Sequence, residues 1–80
     1  MSITASQMRA ARALIKMEQA ELAKRSGVSV PTIRRMEGGD GAVKGHYDNV
    51  AAIIRELEGA GVIFVAENGE GPGVRLRKNR

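Results

Sequence analysis

The most informative segment of the sequence runs from Gln19 to Met36 and reads QAELAKRSGVSVPTIRRM. It contains two short stretches with helical apolar spacing, separated by Gly27 and by Ser29, a residue type that caps helix N-termini. Ala23 is small where a second helix would pass close above it, and Gly27 supplies the backbone conformation of a tight turn. Three apolar residues are spaced to fill the core between the helices: Val28, Ile33 and Met36. The segment therefore predicts helices over residues 19–26 and 30–37, packed at a steep angle.

A further helix is predicted before this segment, over residues 4–16. Thr4 and Gln7 have the spacing of a capping box, and Ile3 with Met8 has the spacing of a hydrophobic staple. We predict that one face of this helix is buried through Met8, Ala11, Leu14 and Ile15.

The second half of the chain predicts one more helix and a β-hairpin. A glycine-rich loop precedes the helix at residues 47–59, whose predicted buried stripe is Val50, Ile53, Ile54 and Leu57. Residues 62–65 are a short β-type run, residues 67–73 are turn-forming, and residues 74–77 alternate apolar and basic side chains as a half-buried strand does. The tail is therefore predicted to be a hairpin with a loop longer than two residues.

The predicted helices resemble the lambda-repressor/Cro-like helix-turn-helix domains of bacterial and phage regulators. The resemblance covers about residues 4–60 and rests on Arg12, Gln19-Ala-Glu-Leu-Ala, Gly27-Val-Ser and Thr32-Ile-Arg-Arg-Met-Glu-Gly38. Glu18 departs from it, since the family often has Ser or Thr as the helix cap there. The resemblance implies a mainly α fold with a four-helix DNA-binding domain over residues 1–61. Residues 62–80, the short C-terminal β-hairpin and basic tail, are predicted to belong to the same compact unit.

The resemblance also implies which residues contact DNA. The second helix of the motif would read bases, through Arg35, Arg34, Thr32, Val30 and Pro31. Arg35 is the best candidate for a bidentate contact with guanine, and Val30 and Pro31 are suited to thymine methyl groups. For Pro31 a structural role at the helix entry is the preferred interpretation. Phosphate contacts are predicted for Gln19, Ser29 and Lys44, although Ser29 also reads as the helix cap.

Arg12 and Glu37 match family positions with a different role. There an arginine of the first helix pairs with the glutamate that ends the third helix. The resemblance therefore implies a structural ion pair that holds the recognition helix on the scaffold, and neither residue is predicted to read DNA.

The charge distribution is consistent with a polyanion-binding face. The formal net charge is +4, but residues 1–45 carry eight basic and four acidic side chains, whereas residues 46–73 carry one basic and five acidic ones. Residues 74–80 add four more basic side chains, from Arg75 to Arg80. A basic N-terminal half followed by an acidic middle indicates one face that binds a polyanion such as DNA and a second, separate face.

Several classes of protein are disfavoured by the composition. The chain has no cysteine and one histidine, His46, so no disulfide or zinc site is predicted. Tyr47 and Phe64 are its two aromatic residues, too few for a base-stacking surface. The sequence has no apolar run of membrane-spanning length, no signal-peptide pattern and no catalytic or nucleotide-binding motif. We therefore expect a cytoplasmic, nucleoid-associated protein that is not an enzyme and needs no cofactor, metal or small-molecule ligand.

Two functions follow from this sequence. The first is a sequence-specific transcriptional regulator, a repressor or autoregulator, that binds double-stranded DNA as a homodimer on a pseudo-palindromic operator. Its predicted dimer interface consists of Ile53, Leu57, Val62, Phe64, Val74 and Leu76. The alternative is an antitoxin or antiactivator that binds a protein partner through the hairpin or the fourth helix.

Overall fold

Four helices and a C-terminal hairpin make up the fold, which a computed structural model describes over residues 2–78. The elements are α1 (Ala5–Ile15), α2 (Gln19–Ser26), α3 (Val30–Glu37), α4 (Tyr47–Gly59), β1 (Val62–Val65) and β2 (Gly73–Leu76). The predicted fold class, mainly α with a short antiparallel hairpin, is confirmed. The second strand lies one residue earlier than the alternation of residues 74–77 indicated.

α1 begins with the predicted capping box. The Thr4 hydroxyl accepts the Gln7 backbone N–H at 3.0 Å, and Gln7 Oε1 accepts the Thr4 N–H at 2.8 Å. Ile3 and Met8 are both buried in the same apolar cluster. The prediction that Leu14 is buried is wrong, because its side chain is 40% exposed. At 100° per residue it lies about a quarter-turn away from the face that carries Met8 and Ala11.

The turn between α2 and α3 follows the local signals of its sequence. Gly27 ends α2 with φ +78°, in the left-handed region, and its N–H donates to the Ala23 carbonyl at 2.9 Å. Ser29 then caps α3, since its Oγ accepts the Thr32 N–H at 3.3 Å. Glu18 makes no capping hydrogen bond with its side chain, so the first turn of α2 lacks the side-chain cap that Ser29 gives to α3.

One apolar core joins all four helices and the hairpin. Its largest fully buried side chains are Met8, Leu22, Ile33, Met36, Ile53, Leu57 and Val62. On α4 the buried stripe is narrower than predicted, because Val50 and Ile54 are only half-buried. They pack against the edge of the core and are also open to solvent on the other side of the helix.

The loop after α3 is fastened to the start of α1. The Ala5 N–H donates to the Gly41 carbonyl at 3.0 Å, and the Val43 N–H donates to the Ile3 carbonyl at 2.9 Å. Thr4 and Ala42 thereby form an isolated antiparallel bridge. This bridge fixes the path of the glycine-rich loop between α3 and α4.

The hairpin is fastened to α1 by the side chain of Gln7. β1 and β2 pair antiparallel, with Val62 opposite Leu76 and Val65 opposite Gly73. The buried Gln7 Nε2 donates to the Val65 carbonyl at 3.1 Å and to the Gly73 carbonyl at 2.9 Å, one in each strand. With Oε1 in the capping box, both ends of the amide are hydrogen-bonded. Gln7 therefore links the first turn of α1 to residues 58 and 66 positions later in the chain.

Gln7→Glu should destabilise the protein strongly at neutral pH. An ionised carboxylate cannot donate to the two strand carbonyls, so we expect a loss of about 2–4 kcal/mol in the free energy of unfolding. Urea unfolding followed by circular dichroism at pH 7 measures this loss. Ser6→Ala, one position earlier and exposed, is the control and should change it by less than about 0.5 kcal/mol. Equal stability of the two variants would contradict the bridging role of Gln7.

Candidate nucleic-acid interface

The buried carboxylate of Glu37 connects α1, α2 and α3. Arg12 of α1 donates from Nε to Oε2 at 2.5 Å and from Nη2 to Oε1 at 2.8 Å, which is a bidentate ion pair. Gln19, the first residue of α2, donates from Nε2 to Oε1 at 3.0 Å. Arg12 Nη1 also donates to the Met17 carbonyl at 3.0 Å, in the link between α1 and α2. The end of α3 is therefore fixed to both preceding helices.

Two opposing effects set the ionisation of Glu37. Burial by itself raises the pKa of the carboxyl, but the hydrogen bonds from Arg12 and Gln19 outweigh it and the net pKa lies below its ordinary value. For Arg12 the hydrogen bond to Glu37 outweighs partial burial, so the pKa of the guanidinium is raised. Both groups are therefore charged at neutral pH.

Arg9 adds a second connection to the end of α3 that the sequence analysis missed. Its Nη1 donates to the Glu37 carbonyl and, at 3.0 Å, to the Gly39 carbonyl. A cation at this position also opposes the partial negative charge of the helix C-terminus. The available signal was spacing, since Arg9 precedes Arg12 by three residues and lies on the same side of α1.

The outer face of α3 presents the predicted base-reading residues to solvent. Arg34, Arg35 and Pro31 are exposed, and Val30 and Thr32 are half-buried. Arg35 Nη2 donates to Thr32 Oγ1 at 3.2 Å, one turn back along the helix. The Ser29 hydroxyl is 3.0 Å from the same Thr32 oxygen, so the helix cap, Thr32 and Arg35 form one hydrogen-bonded chain.

A shallow groove lies between the N-terminal ends of α2 and α3. Its lining brings together Arg12, Glu18, Gln19, Ala20, Val30 and Arg34. The Gln19 amide uses one N–H on Glu37, so its other N–H remains for an anion in the groove. Lys44 is exposed in the loop after α3, outside this groove. The geometry thus brings Gln19, Val30 and Arg34 together and leaves Lys44 at a separate position.

The predicted dimer interface needs correction. Ile53, Leu57 and Val62 are completely buried inside the protomer, at 1% exposure or less, so they cannot touch a second copy. Phe64 and Val74 are half-buried against the same core, and only Leu76 is largely exposed, at 48%. The apolar spacing of α4 correctly predicted that Ile53 and Leu57 are buried, but they pack on the protomer's own α2 and hairpin.

The remaining basic residues lie on the hairpin. Arg75, Arg77 and Lys78 are exposed, whereas Arg80, the last residue of the predicted basic tail, lies outside the described residues. Within residues 2–78 no helix combines the length and apolarity needed to cross a bilayer. In the same range, no group of three metal-binding side chains comes together.

Comparison with known families agrees with this geometry. Residues 8–45 match a family model described as helix-turn-helix, a segment that spans α1 to α3 and the following loop. No curated protein shows significant sequence similarity to the chain. The matched segment contains the ion pair, the α2–α3 turn and both exposed arginines of α3.

Glu37→Gln should remove a pH-dependent part of the stability. Because the pKa of Glu37 is lowered on folding, its contribution is complete above the unfolded-state pKa of about 4.3 and is lost as pH falls through the folded value. At pH 7 the variant should lose about 2–4 kcal/mol, somewhat less than a fully buried pair because Arg12 is 20% exposed. Urea unfolding at pH 7 and at pH 3 measures both effects.

The control for this experiment is Glu21→Gln. Glu21 also pairs with an arginine, Arg25, at 2.6 Å, but both side chains are largely exposed. This substitution should leave the unfolding midpoint at pH 7 nearly unchanged. If Glu37→Gln and Glu21→Gln behaved alike, the structural role of the Arg12–Glu37 pair would be refuted.

Proposed function

We propose that the protein is a sequence-specific transcriptional regulator that binds a pseudo-palindromic operator as a homodimer, and the helix-turn-helix family match over residues 8–45 supports this proposal. We propose that it represses, most directly its own or a neighbouring gene. Cytoplasmic DNA is its site of action in this proposal.

The observation that carries the proposal is the rigid support of an arginine-bearing helix. Arg34 and Arg35 are exposed on α3, while the end of the same helix is fixed by the buried Glu37 and by Arg9. Base recognition needs side chains held in a fixed position, because a bidentate contact to guanine depends on geometry. Arginines that served only to keep the protein soluble would not need a helix fixed in this way.

Each candidate residue has a role that matches its surroundings. Arg35 reads a guanine edge from the exposed face of α3, and Arg34 contacts a base or a phosphate from the edge of the groove. Gln19 donates to a phosphate at the start of α2, where the first N–H groups lack a side-chain cap. Ser29 acts chiefly as the cap of α3, and Lys44 adds a phosphate contact from the loop.

A second copy is required by the size of the domain. One recognition helix reads only about 4–6 base pairs, too few to define a site in a genome. The described chain measures 31 × 31 × 19 Å, so each copy is small enough to occupy one of two half-sites whose centres are one turn of DNA, about 34 Å, apart. A homodimer therefore suits two half-sites in successive major grooves.

Selection of bound sequences from a random DNA pool tests the proposal directly. Enrichment of a two-fold symmetric motif, with half-sites about one helical turn apart, is the expected result. Recovery of no common motif would overturn the proposed sequence specificity.

Arg35→Ala should weaken binding to the selected DNA by about 1–3 kcal/mol and relax the preference at one base pair. Arg34→Ala should weaken binding with a smaller change in preference. Arg25→Ala is a matched control, since Arg25 is exposed on α2 and bound to Glu21. Fluorescence anisotropy on the selected site and on single-base variants measures these effects. If both α3 variants bound like the parent, α3 would not be the recognition helix.

Affinity should fall steeply with salt. Each phosphate that the protein neutralises contributes a slope of about −0.9 to the plot of log K against log salt concentration on duplex DNA. A protein that uses several basic groups per copy should therefore give a strongly negative slope, and Lys44→Ala should reduce its magnitude by about one unit per bound copy. A nearly flat plot would favour the alternative of a protein-binding module.

A further inference from the structure

The outward side of α4 carries an apolar groove that the described part of the chain leaves open. Its lining consists of Tyr47, Val50, Ala51, Ile54, Arg55 and Glu58. These residues recur every three or four positions, so they form one stripe along nearly the whole helix. Tyr47, the one tyrosine in the sequence, is 82% exposed at the start of the stripe. The core face of α4, with Ile53 and Leu57, lies on the other side.

The two ends of this stripe are chemically complementary. Its N-terminal end presents the phenol of Tyr47, with a ring face that attracts cations and a hydroxyl that donates. Its C-terminal end presents the guanidinium of Arg55 and the carboxylate of Glu58. Between them lies Ala51, whose small side chain allows another helix to approach closely. An identical stripe that runs antiparallel therefore supplies a partner for each end.

We propose that this groove is the homodimer interface, in which two copies of α4 pack antiparallel about a two-fold axis near Ala51. Tyr47 and Arg55 lie four residues before and after Ala51, so the axis brings each Tyr47 ring to Arg55 of the partner subunit. The Tyr47 hydroxyl then donates to Glu58 of the partner subunit, one turn further on. The proposal deepens the function proposed above, on whose homodimer it rests, and replaces the interface predicted from the sequence.

Helix electrostatics favours the antiparallel arrangement. The start of α4 has no side-chain cap from His46, so its first N–H groups carry partial positive charge toward solvent, beside the acidic Asp48 of the same turn. In the antiparallel pair, Glu58 of the partner subunit approaches this end. A parallel pair would instead bring Glu58 against Glu58 and Tyr47 against Tyr47, and would leave Arg55 without an aromatic partner. The stripe itself carries one positive and one negative charge, so two stripes do not repel.

The expected dimer is weak in the absence of DNA. Six lining residues on one helix give an interface at the small end of specific protein contacts, below about 1,200 Å² in total, so we expect a dissociation constant on the order of 10–100 μM. Two adjacent half-sites would raise the effective concentration of one copy near the other. The interface also leaves α3 free, since no α3 residue lines the groove.

Sedimentation of the full chain, up to about 1 mM and without DNA, is the first test. The parent should pass from monomer to dimer over this range. Tyr47→Ala and Ala51→Arg should each weaken dimerisation at least tenfold, and circular dichroism should stay unchanged for Tyr47→Ala because that side chain is largely exposed. Leu76→Ser is the matched control, an exposed apolar residue of the hairpin, and should dimerise like the parent.

Cross-linking tests the position of the axis. The chain has no cysteine, so Ala51→Cys introduces a single thiol close to the proposed axis, and oxidation should give a covalent dimer. Ser6→Cys, exposed on α1, should stay monomeric under the same conditions. A parent that remained monomeric, as expected if another protein occupies the groove, would overturn the inference. The inference would also be overturned if Leu76→Ser lost dimerisation and Tyr47→Ala kept it.

The same variants separate this inference from the proposed function. Tyr47→Ala should keep the parent's affinity for a single half-site and lose cooperative binding to the full palindrome. Dimerisation through α4 without any selected DNA motif would leave the interface intact and refute the proposed function. Specific DNA binding by a protein that fails the sedimentation and cross-linking tests would refute the α4 interface and leave sequence-specific DNA binding intact.

Discussion

The position of α3 depends on one buried carboxylate. Glu37 ends α3 and is bound by Arg12 from α1 and by Gln19 from the start of α2. Since burial of an unpaired carboxylate is very unfavourable, the three helices must meet at this point or the charge must be neutralised. The exposed arginines of α3 lie two and three residues before Glu37. The Arg12–Glu37 ion pair therefore fixes the helix that carries both arginines.

Polar side chains serve the same purpose on the opposite side of α1. Gln7 closes the capping box and also binds a carbonyl of each hairpin strand. A two-stranded hairpin alone is marginal in water, so it needs such contacts together with burial of Val62. α1 thus acts as a central support, with Arg9 and Arg12 holding α3 and Gln7 holding the hairpin. In the part of the chain described, every buried side-chain polar atom has a hydrogen-bond partner.

The two faces of α4 have different surroundings. Its core face packs within the protomer, whereas its outward stripe is left open by the described residues and includes no residue of α3. This separation lets the proposed DNA contacts and the proposed dimer interface use different residues. It also matches the charge distribution, because residues 46–73 carry most of the acidic side chains and would be repelled by phosphate.

The sequence by itself determined the local structure. Caps, the left-handed glycine at position 27 and apolar spacing predicted the four helices and β1 with the bounds observed or within one residue, because these signals act over a few positions. The family resemblance added the Arg12–Glu37 pair. Only the tertiary structure decided three features. These are the side of α4 that is open, the hydrogen bonds from Gln7 to the hairpin, and the hydrogen bonds from Arg9 to the end of α3. Periodicity identifies an apolar face but not its partner, and a hydrogen bond across nearly sixty residues leaves no local pattern.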